Sequence, residues 1–225
     1  MSLFIVSTPI GNLEDISMRA QNTLAQVDAI LCEDTRVTQK LLEHFQIKKP
    51  LLSYHHHSHD LRVKQIMDLI REGKSLALVT DAGTPGISDP GGKLVEALLK
   101  LFGDDLVIIP IPGASAVIAA LSICGFPADE FVFLGFPPHK KGRQTYFKRL
   151  NSITSTIVYY ESTHRIEKSM QELADAIGNR SVVVCRELTK LHETIYRGTA
   201  LEILERLKST SMKGEFVVVI GPKKK

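Results

Sequence analysis

The sequence has 225 residues, 44% hydrophobic and 24% charged, with 15 Gly, 10 Pro and 3 Cys. That composition belongs to globular domains and excludes a collagen-like chain, a disulfide scaffold and a disordered tail. A chain this long buries roughly 70% of its unfolded surface without covalent staples. The net charge of +3 leaves no global polycation signature. Positive charge is local, at Lys140, Lys141, Arg143, Lys148 and Arg149 and in the tail 223–225, and such a run is usually a solvated face. Cys32, Cys124 and Cys185 are too far apart for a CxxC zinc or redox pair. So sparse and odd a count reads as reduced thiols in a cytosol. Residues 1–7 lack the basic and apolar regions of a signal peptide. The uncharged segment 106–126 has nominal bilayer-spanning length, but Pro110, Pro112 and Gly113 divide it into a buried strand, a deep loop and a buried helix.

Strand and helix patterns alternate along the chain. Strand 3–7 precedes helix 17–27, opened by a Ser cap; strand 29–33 precedes helix 35–45, capped by Thr35. Strand 51–54 and helix 61–71, stopped at Gly73, lead to the continuous apolar strand 76–80, the kind found in doubly covered parallel sheets. Helix 93–102 ends at Gly103, followed by strand 106–109 and helix 115–124. The pattern restarts with strand 131–135, helix 143–150, strand 156–160, helix 165–177, strands 182–186 and 194–197, helix 201–207 and strand 216–220. This alternation predicts an α/β fold with mostly parallel or mixed sheets in two α/β domains, 1–114 and 115–225.

In such folds ligands bind at the carboxyl ends of strands. Neither GxGxxG nor GxxxxGK[ST] is present, which argues against a common dinucleotide fold, a P-loop nucleotidase or a glycine-motif methyltransferase. Three other loops follow strands: STPIGNL at 7–13, DAGTPGISDPGG at 81–92 and PGASA at 112–116. Each joins Gly and Pro to small side chains, so tightly turned, bare backbone is offered to a ligand. On this reading a side chain at Gly83 or Gly113 collides with ligand and leaves folding intact; the alternative is that each glycine satisfies a positive φ in a turn, where a side chain lowers stability first.

These loops resemble the tetrapyrrole (corrin and porphyrin) methylase-like superfamily. Within it, TPIGNLEDISMRA at 8–20, EDTR at 33–36 with Thr38, YHHH at 54–57, DAGTP and ISDPG at 81–91, YES at 160–162 with His164 and Arg165, and RELTK at 186–190 resemble the ribosomal RNA small-subunit methyltransferase I family. The resemblance covers essentially the whole chain. It implies a cytoplasmic homodimer, S-adenosylmethionine held in a cleft between two α/β domains, and methylation of a cytidine ribose 2′-hydroxyl in 16S RNA of the small ribosomal subunit. Tetrapyrrole methylation and a non-catalytic RNA- or nucleotide-binding role stand as alternatives; the basic stretch 140–149 favours nucleic acid. No membrane contact is implied.

With the three loops, the resemblance implies cofactor contact at Pro9, Ile10, Gly11, Asp81, Ala82, Gly83, Thr84, Pro85, Ile87, Pro112, Gly113, Ser115 and Ala116, and at Tyr160, Glu161 and Glu215. It implies substrate contact at Asn12, Arg36, His55, His57, Lys140, Lys141, Arg143, His164, Arg165, Arg186 and Lys190. Structural alternatives accompany these: Asp89 suits an Asx turn and helix cap, Asp34 or Thr35 a cap, and the charges around 161–165 and 186–190 salt bridges. Methyl transfer needs alignment, and a base is optional; Glu33, Asp34, Glu161, Glu187 and Lys190 are candidates. The histidines at 55–57 and 59 have no second ligand cluster, so no metal is expected.

Overall fold

In the computed structural model, residues 1–54 and 60–223 are described. The chain divides into two compact units, Met1–Ser115 and Ala116–Lys225.

The first unit contains β1 (Ser2–Val6), α1 (Met18–Gln26), β2 (Ala29–Cys32), α2 (Thr35–His44), β3 (Leu51–Ser53), α3 (Asp60–Arg71), β4 (Ser75–Leu78), α4 (Gly91–Phe102) and β5 (Val107–Ile111). Its sheet has the order β3-β2-β4-β1-β5 and every pairing is parallel. After an opening serine in β1 and β4 the central strands are continuously apolar, because successive side chains enter different cores. Ile30, Cys32, Ala77 and Val79 pack with Leu24 of α1 and Leu42 of α2. Ala29, Leu31, Leu76 and Leu78 pack with Ile66 of α3 and Leu94 of α4. Neighbouring β1 and β4 therefore send their chains to opposite faces, and the loops that follow them part at the sheet edge, the place where open α/β sheets bind ligands.

The second unit contains α5 (Ala116–Cys124), β6 (Phe131–Phe133), α6 (Arg143–Leu150), β7 (Thr156–Ser162), α7 (Ile166–Ile177), β8 (Val182–Arg186), β9 (Thr194–Gly198), α8 (Ala200–Ser209) and β10 (Glu215–Ile220). The sheet order is β6-β7-β10-β8-β9. Only β6 and β7 pair in parallel; β10 runs antiparallel to β7 and β8, and β8 to β9. Of the expected mostly parallel or mixed arrangements this sheet is the mixed one; the loop between β8 and β9 is too short for a parallel crossover. Phe147, Met170, Leu173, Ile203 and Leu207 cover one core with Tyr159, Val184 and Phe216.

Arg180 pins the end of this unit, its guanidinium donating to the carbonyls of Gly221, Leu150, Ile153 and Ser155. A capping box opens α8: the Thr199 hydroxyl accepts from the Glu202 N–H, while the Glu202 carboxylate accepts from the Thr199 N–H. Thr199→Ala is expected to destabilise the protein by about 1 kcal/mol, with Thr199→Ser near the original value. Denaturant unfolding of the three chains checks this; equal midpoints would remove the box from the energetics.

Candidate active site

At the carboxyl edge of the first sheet, the loop after β1 is bound to the loop after β4. The Thr8 N–H donates to the Gly83 carbonyl at 2.9 Å and the Gly83 N–H returns to the Thr8 carbonyl at 3.1 Å. The Thr8 hydroxyl donates to the Thr80 carbonyl at 3.0 Å. Ser7 Oγ lies 2.9 Å from Thr84 Oγ1, which also reaches the Ala114 carbonyl at 3.3 Å. Three loops become one rim. Pro9, Gly83 and Pro85 are buried as its frame, with Ile10, Thr84 and Ser115 half-buried; Gly11, Asn12, Asp81, Ala82, Ile87, Pro112 and Gly113 are exposed. Asp89 closes the second loop by accepting the N–H groups of Gly86 at 2.8 Å and Gly91 at 2.7 Å, so the turn-forming role accounts for it.

The β2 end joins this rim through the Asp34 N–H, which donates to Asp81 Oδ1 at 3.2 Å. Asp34, rather than Thr35, caps α2: its carboxylate accepts from the Arg36 N–H at 2.8 Å and grips the Arg36 guanidinium at 2.6 Å.

In the second unit, Tyr160 stacks edge-on against Phe133. Glu161, 1% exposed, faces Arg165 Nε at 3.2 Å and Arg143 Nη2 at 3.8 Å. His164 is exposed. Lys190 lies between Glu187 at 3.0 Å and Glu215 at 2.8 Å. Arg186 donates to the carbonyls of Lys213 and His192 and holds the β8–β9 connection in shape. Arg143 departs from its expected place on an exposed basic face. It is 4% exposed, donates to Glu172 at 2.7 Å and to the Pro138 carbonyl at 3.1 Å, and lies over the Phe147 ring. Lys140 and Lys141 are exposed as expected. His55 and His57 lie outside the described residues. Among the described residues no group of three or more His, Cys, Asp or Glu is placed to hold a metal, and no helix is long and apolar enough to cross a membrane.

Residues 2–204 match the family model for tetrapyrrole (corrin/porphyrin) methylases. A Thermotoga maritima protein named ribosomal RNA small subunit methyltransferase I is 43% identical over 221 residues, covering 98% of both chains. Its namesake in Halalkalibacterium halodurans is 43% identical over 220 residues, 97% of this chain and 75% of that protein. A solved diphthine synthase superposes with a TM-score of 0.71 at 18% identity, over 98% of this chain and 90% of that one. A cobalt precorrin-4 methyltransferase superposes at 0.68 with 23% identity, over 98% and 94%. The chain belongs to the tetrapyrrole methylase family, in its ribosomal RNA small subunit methyltransferase I branch.

Membership makes the chain a methyltransferase with S-adenosylmethionine as its methyl donor. The first-unit rim fits that group. Gly11, Ala82 and Gly113 leave backbone bare at the edge, and the exposed Asp81 carboxylate suits a sulfonium, an ammonium or ribose hydroxyls. Burial raises the Asp81 pKa; the N–H of Asp34 opposes that shift and the Asp34 charge adds to it. Asp34 is held at about 2, chiefly by the Arg36 side chain. Burial alone would lower the Lys190 pKa, but its bonds to Glu215 and Glu187 outweigh that and raise it. Lys190 is therefore an ammonium at neutral pH and not a base.

The glycines of the rim answer to the protein before any ligand. Gly83 sits at φ +88°, which disfavours any side chain. A Cβ at Gly113 would lie 2.9 Å from the Ser7 Cβ. The expected collision with ligand alone is thus corrected: the third loop packs on the first at this point. The sequence signal was the small residue at each partner position, Ser7 and Gly113. Ser7 and Thr8 were not among the anticipated site residues, although hydroxyls in facing loops are natural ties.

Gly113→Ala is expected to lower stability by about 1–3 kcal/mol, the range for an overpacked side chain, and Ser7→Gly in the same chain to recover part of it. Calorimetric unfolding that leaves the single variant unchanged would return the glycine to a purely ligand-facing role. A second expectation concerns acid. Because Asp34 titrates at about 2 when folded, against an ordinary 3.8, its charge contributes stability above about pH 4 that is lost as pH falls toward 2. The melting-temperature gap between the native chain and Asp34→Asn should be constant near neutrality and close in acid; a gap independent of pH would remove the Arg36 pairing as its source.

Proposed function

We propose that the protein methylates small-subunit ribosomal RNA in the cytoplasm, at the ribose 2′-hydroxyl of a cytidine, and works as a homodimer. The observation that carries the substrate is the near-end-to-end 43% identity with the Thermotoga maritima protein of that name.

S-adenosylmethionine supplies an electrophilic methyl on a sulfonium, and transfer to a hydroxyl oxygen forms a C–O bond as the C–S bond breaks, with release of the hydroxyl proton. The rim's part is to align. Bare backbone at Gly11, Ala82 and Gly113 and the Asp81 carboxylate bind and orient the donor, and alignment of reacting atoms contributes ~7–11 kcal/mol in favourable cases.

Incubation with labelled S-adenosylmethionine and small ribosomal subunits lacking the modification, then nuclease digestion and mass spectrometry, should yield one 2′-O-methylcytidine. Label in a tetrapyrrole only, or in no acceptor, would overturn the reading. By calorimetry the donor should bind once per chain, and Asp81→Asn should weaken it more than tenfold, ~1.4 kcal/mol. Unchanged affinity would remove Asp81 from the site.

A further inference from the structure

We propose that a groove at the start of α6 is a subsite for an RNA phosphodiester, presented by Lys140, Lys168 and the first turn of α6 and held in shape from beneath by buried Glu161 and Arg143 and half-buried Arg165. The proposal rests on the ribosomal RNA reading above and adds to it the place where the backbone is held.

The groove has a volume of about 410 Å³ and is lined by His139, Lys140, Gln144, Thr145 and Lys168, with Arg143 and Glu172 in its wall. Gly142 stands at the N-cap with φ +83°, offers no side chain to cap the first turn, and no acidic residue follows in that turn. The Arg143 N–H is spent on the Lys140 carbonyl at 3.2 Å, which leaves the Gln144 and Thr145 N–H groups as the early helix donors that favour an anion. The charges agree. Glu172, the acid in the wall, is answered by Arg143 at 2.7 Å, and Glu161 by Arg165 at 3.2 Å. Lys168 stands 3.9 Å from Glu172 with its side chain largely exposed. Lys140 and Lys141 are exposed and carry no ion pair among the described residues. The surplus is cationic, and exposed Lys148 and Arg149 continue it along α6.

The groove is also built rather than incidental. Two guanidinium groups, the buried Arg143 and the half-buried Arg165, both drawn to Glu161, spend their other donors on the loop that carries the lysines. Arg143 Nη1 donates to the Pro138 carbonyl at 3.1 Å. Arg165 donates to the Pro137 carbonyl and approaches His139 Nε2 at 3.4 Å. Glu161 is thus a positioning residue: its charge orients two arginines, and these fix the backbone leading to Lys140. A solvated charge run needs no such foundation. A phosphodiester fits better than a carboxylate ligand, because cations continue past the groove as phosphates continue along a strand.

The test uses the full chain with small ribosomal subunits as the probe, measuring affinity against salt and methyl transfer in parallel. Each phosphate contact contributes roughly 0.7–0.9 to the slope of log affinity against log salt. Lys140→Ala with Lys168→Ala should flatten the slope by about 1 and raise KM with kcat little changed, while Lys64→Ala with Lys93→Ala, exposed in the first unit, leaves both as they were. Glu161→Gln, if its melting curve shows a folded chain, should reproduce the lost slope with both lysines present. An unmodified chain that neither binds nor methylates the subunits overturns the ribosomal RNA reading and the subsite with it. An unmodified chain that does both, beside a lysine variant of unchanged slope, overturns the subsite alone.

Discussion

The pair of backbone hydrogen bonds between Thr8 and Gly83 is the constraint on which the candidate site rests. Adjacent strands β1 and β4 send their chains to opposite faces of the sheet, and that divergence opens the edge. Two loops leaving such an edge have no sheet hydrogen bonds to keep them together. The bridge replaces those bonds one step beyond the strands. It demands φ +88° at residue 83, hence glycine. The Thr8 hydroxyl, spent on the Thr80 carbonyl, anchors the bridge to the strand end. Through Ser7, Thr84 and Ala114 the same lock takes in the loop after β5. Gly11, Asp81, Ala82 and Gly113 lie on one rim because of these few bonds, although more than a hundred residues separate the first from the last.

The second unit uses charge where the first uses backbone. Burying Glu161 is costly unless it is paired, and the fold supplies two arginines for it. Neither arginine is dedicated to the pair alone, since each also donates to a carbonyl of the segment before α6. Removing one member of a buried set typically costs 3–5 kcal/mol, because the others are left without a counter-charge. Such an arrangement transmits shape: the position of an exposed lysine is tied to an acid that solvent scarcely reaches.

The elements were legible because their periods are clean. Alternate residues of β2 and β4 divide between two cores, and α3 ends at a glycine with φ +80°, as its sequence suggests. Less legible was partnership across the chain. Arg143 reads as part of a basic run, yet Phe147 and Leu150, four and seven residues on, are both buried, and that spacing puts Arg143 on the inner stripe of α6. Glu161 likewise follows Ile157 and Tyr159 at steps of two, on the strand face that enters the core. Periodicity therefore held the answer for both residues, but charge argued against it. Burial is tolerable because each charge meets counter-charges: Arg143 meets Glu172 and Glu161, 29 and 18 positions away, and Glu161 also meets Arg165; no local pattern reports the two distant pairings. The strand directions of the second sheet were hidden for a related reason: an apolar strand looks the same whichever direction its neighbour runs.

The candidate bases illustrate what such pairings leave for chemistry. Asp34 is spent on the cap of α2 and on Arg36. Glu161 is sealed among arginines. Glu187 accepts from the Glu215 backbone and from Lys190, which outweigh the opposing effect of burial and hold its pKa below the usual range. Lys190 is held as a cation by two carboxylates. Glu33 also has an interaction of its own. Each group is held by neighbours, as befits a structural or binding part: Asp34 and Glu187 are carboxylates of lowered pKa, which weakens them as bases, and Lys190 is held as an ammonium with no lone pair to accept a proton. A sulfonium methyl is reactive enough to make that arrangement workable. The leaving thioether is neutral, and an oxygen already in line with the methyl carbon gains more from fixed geometry than from a stronger proton acceptor. A rim locked by backbone hydrogen bonds supplies fixed geometry, and this fold has placed its most constrained residues there.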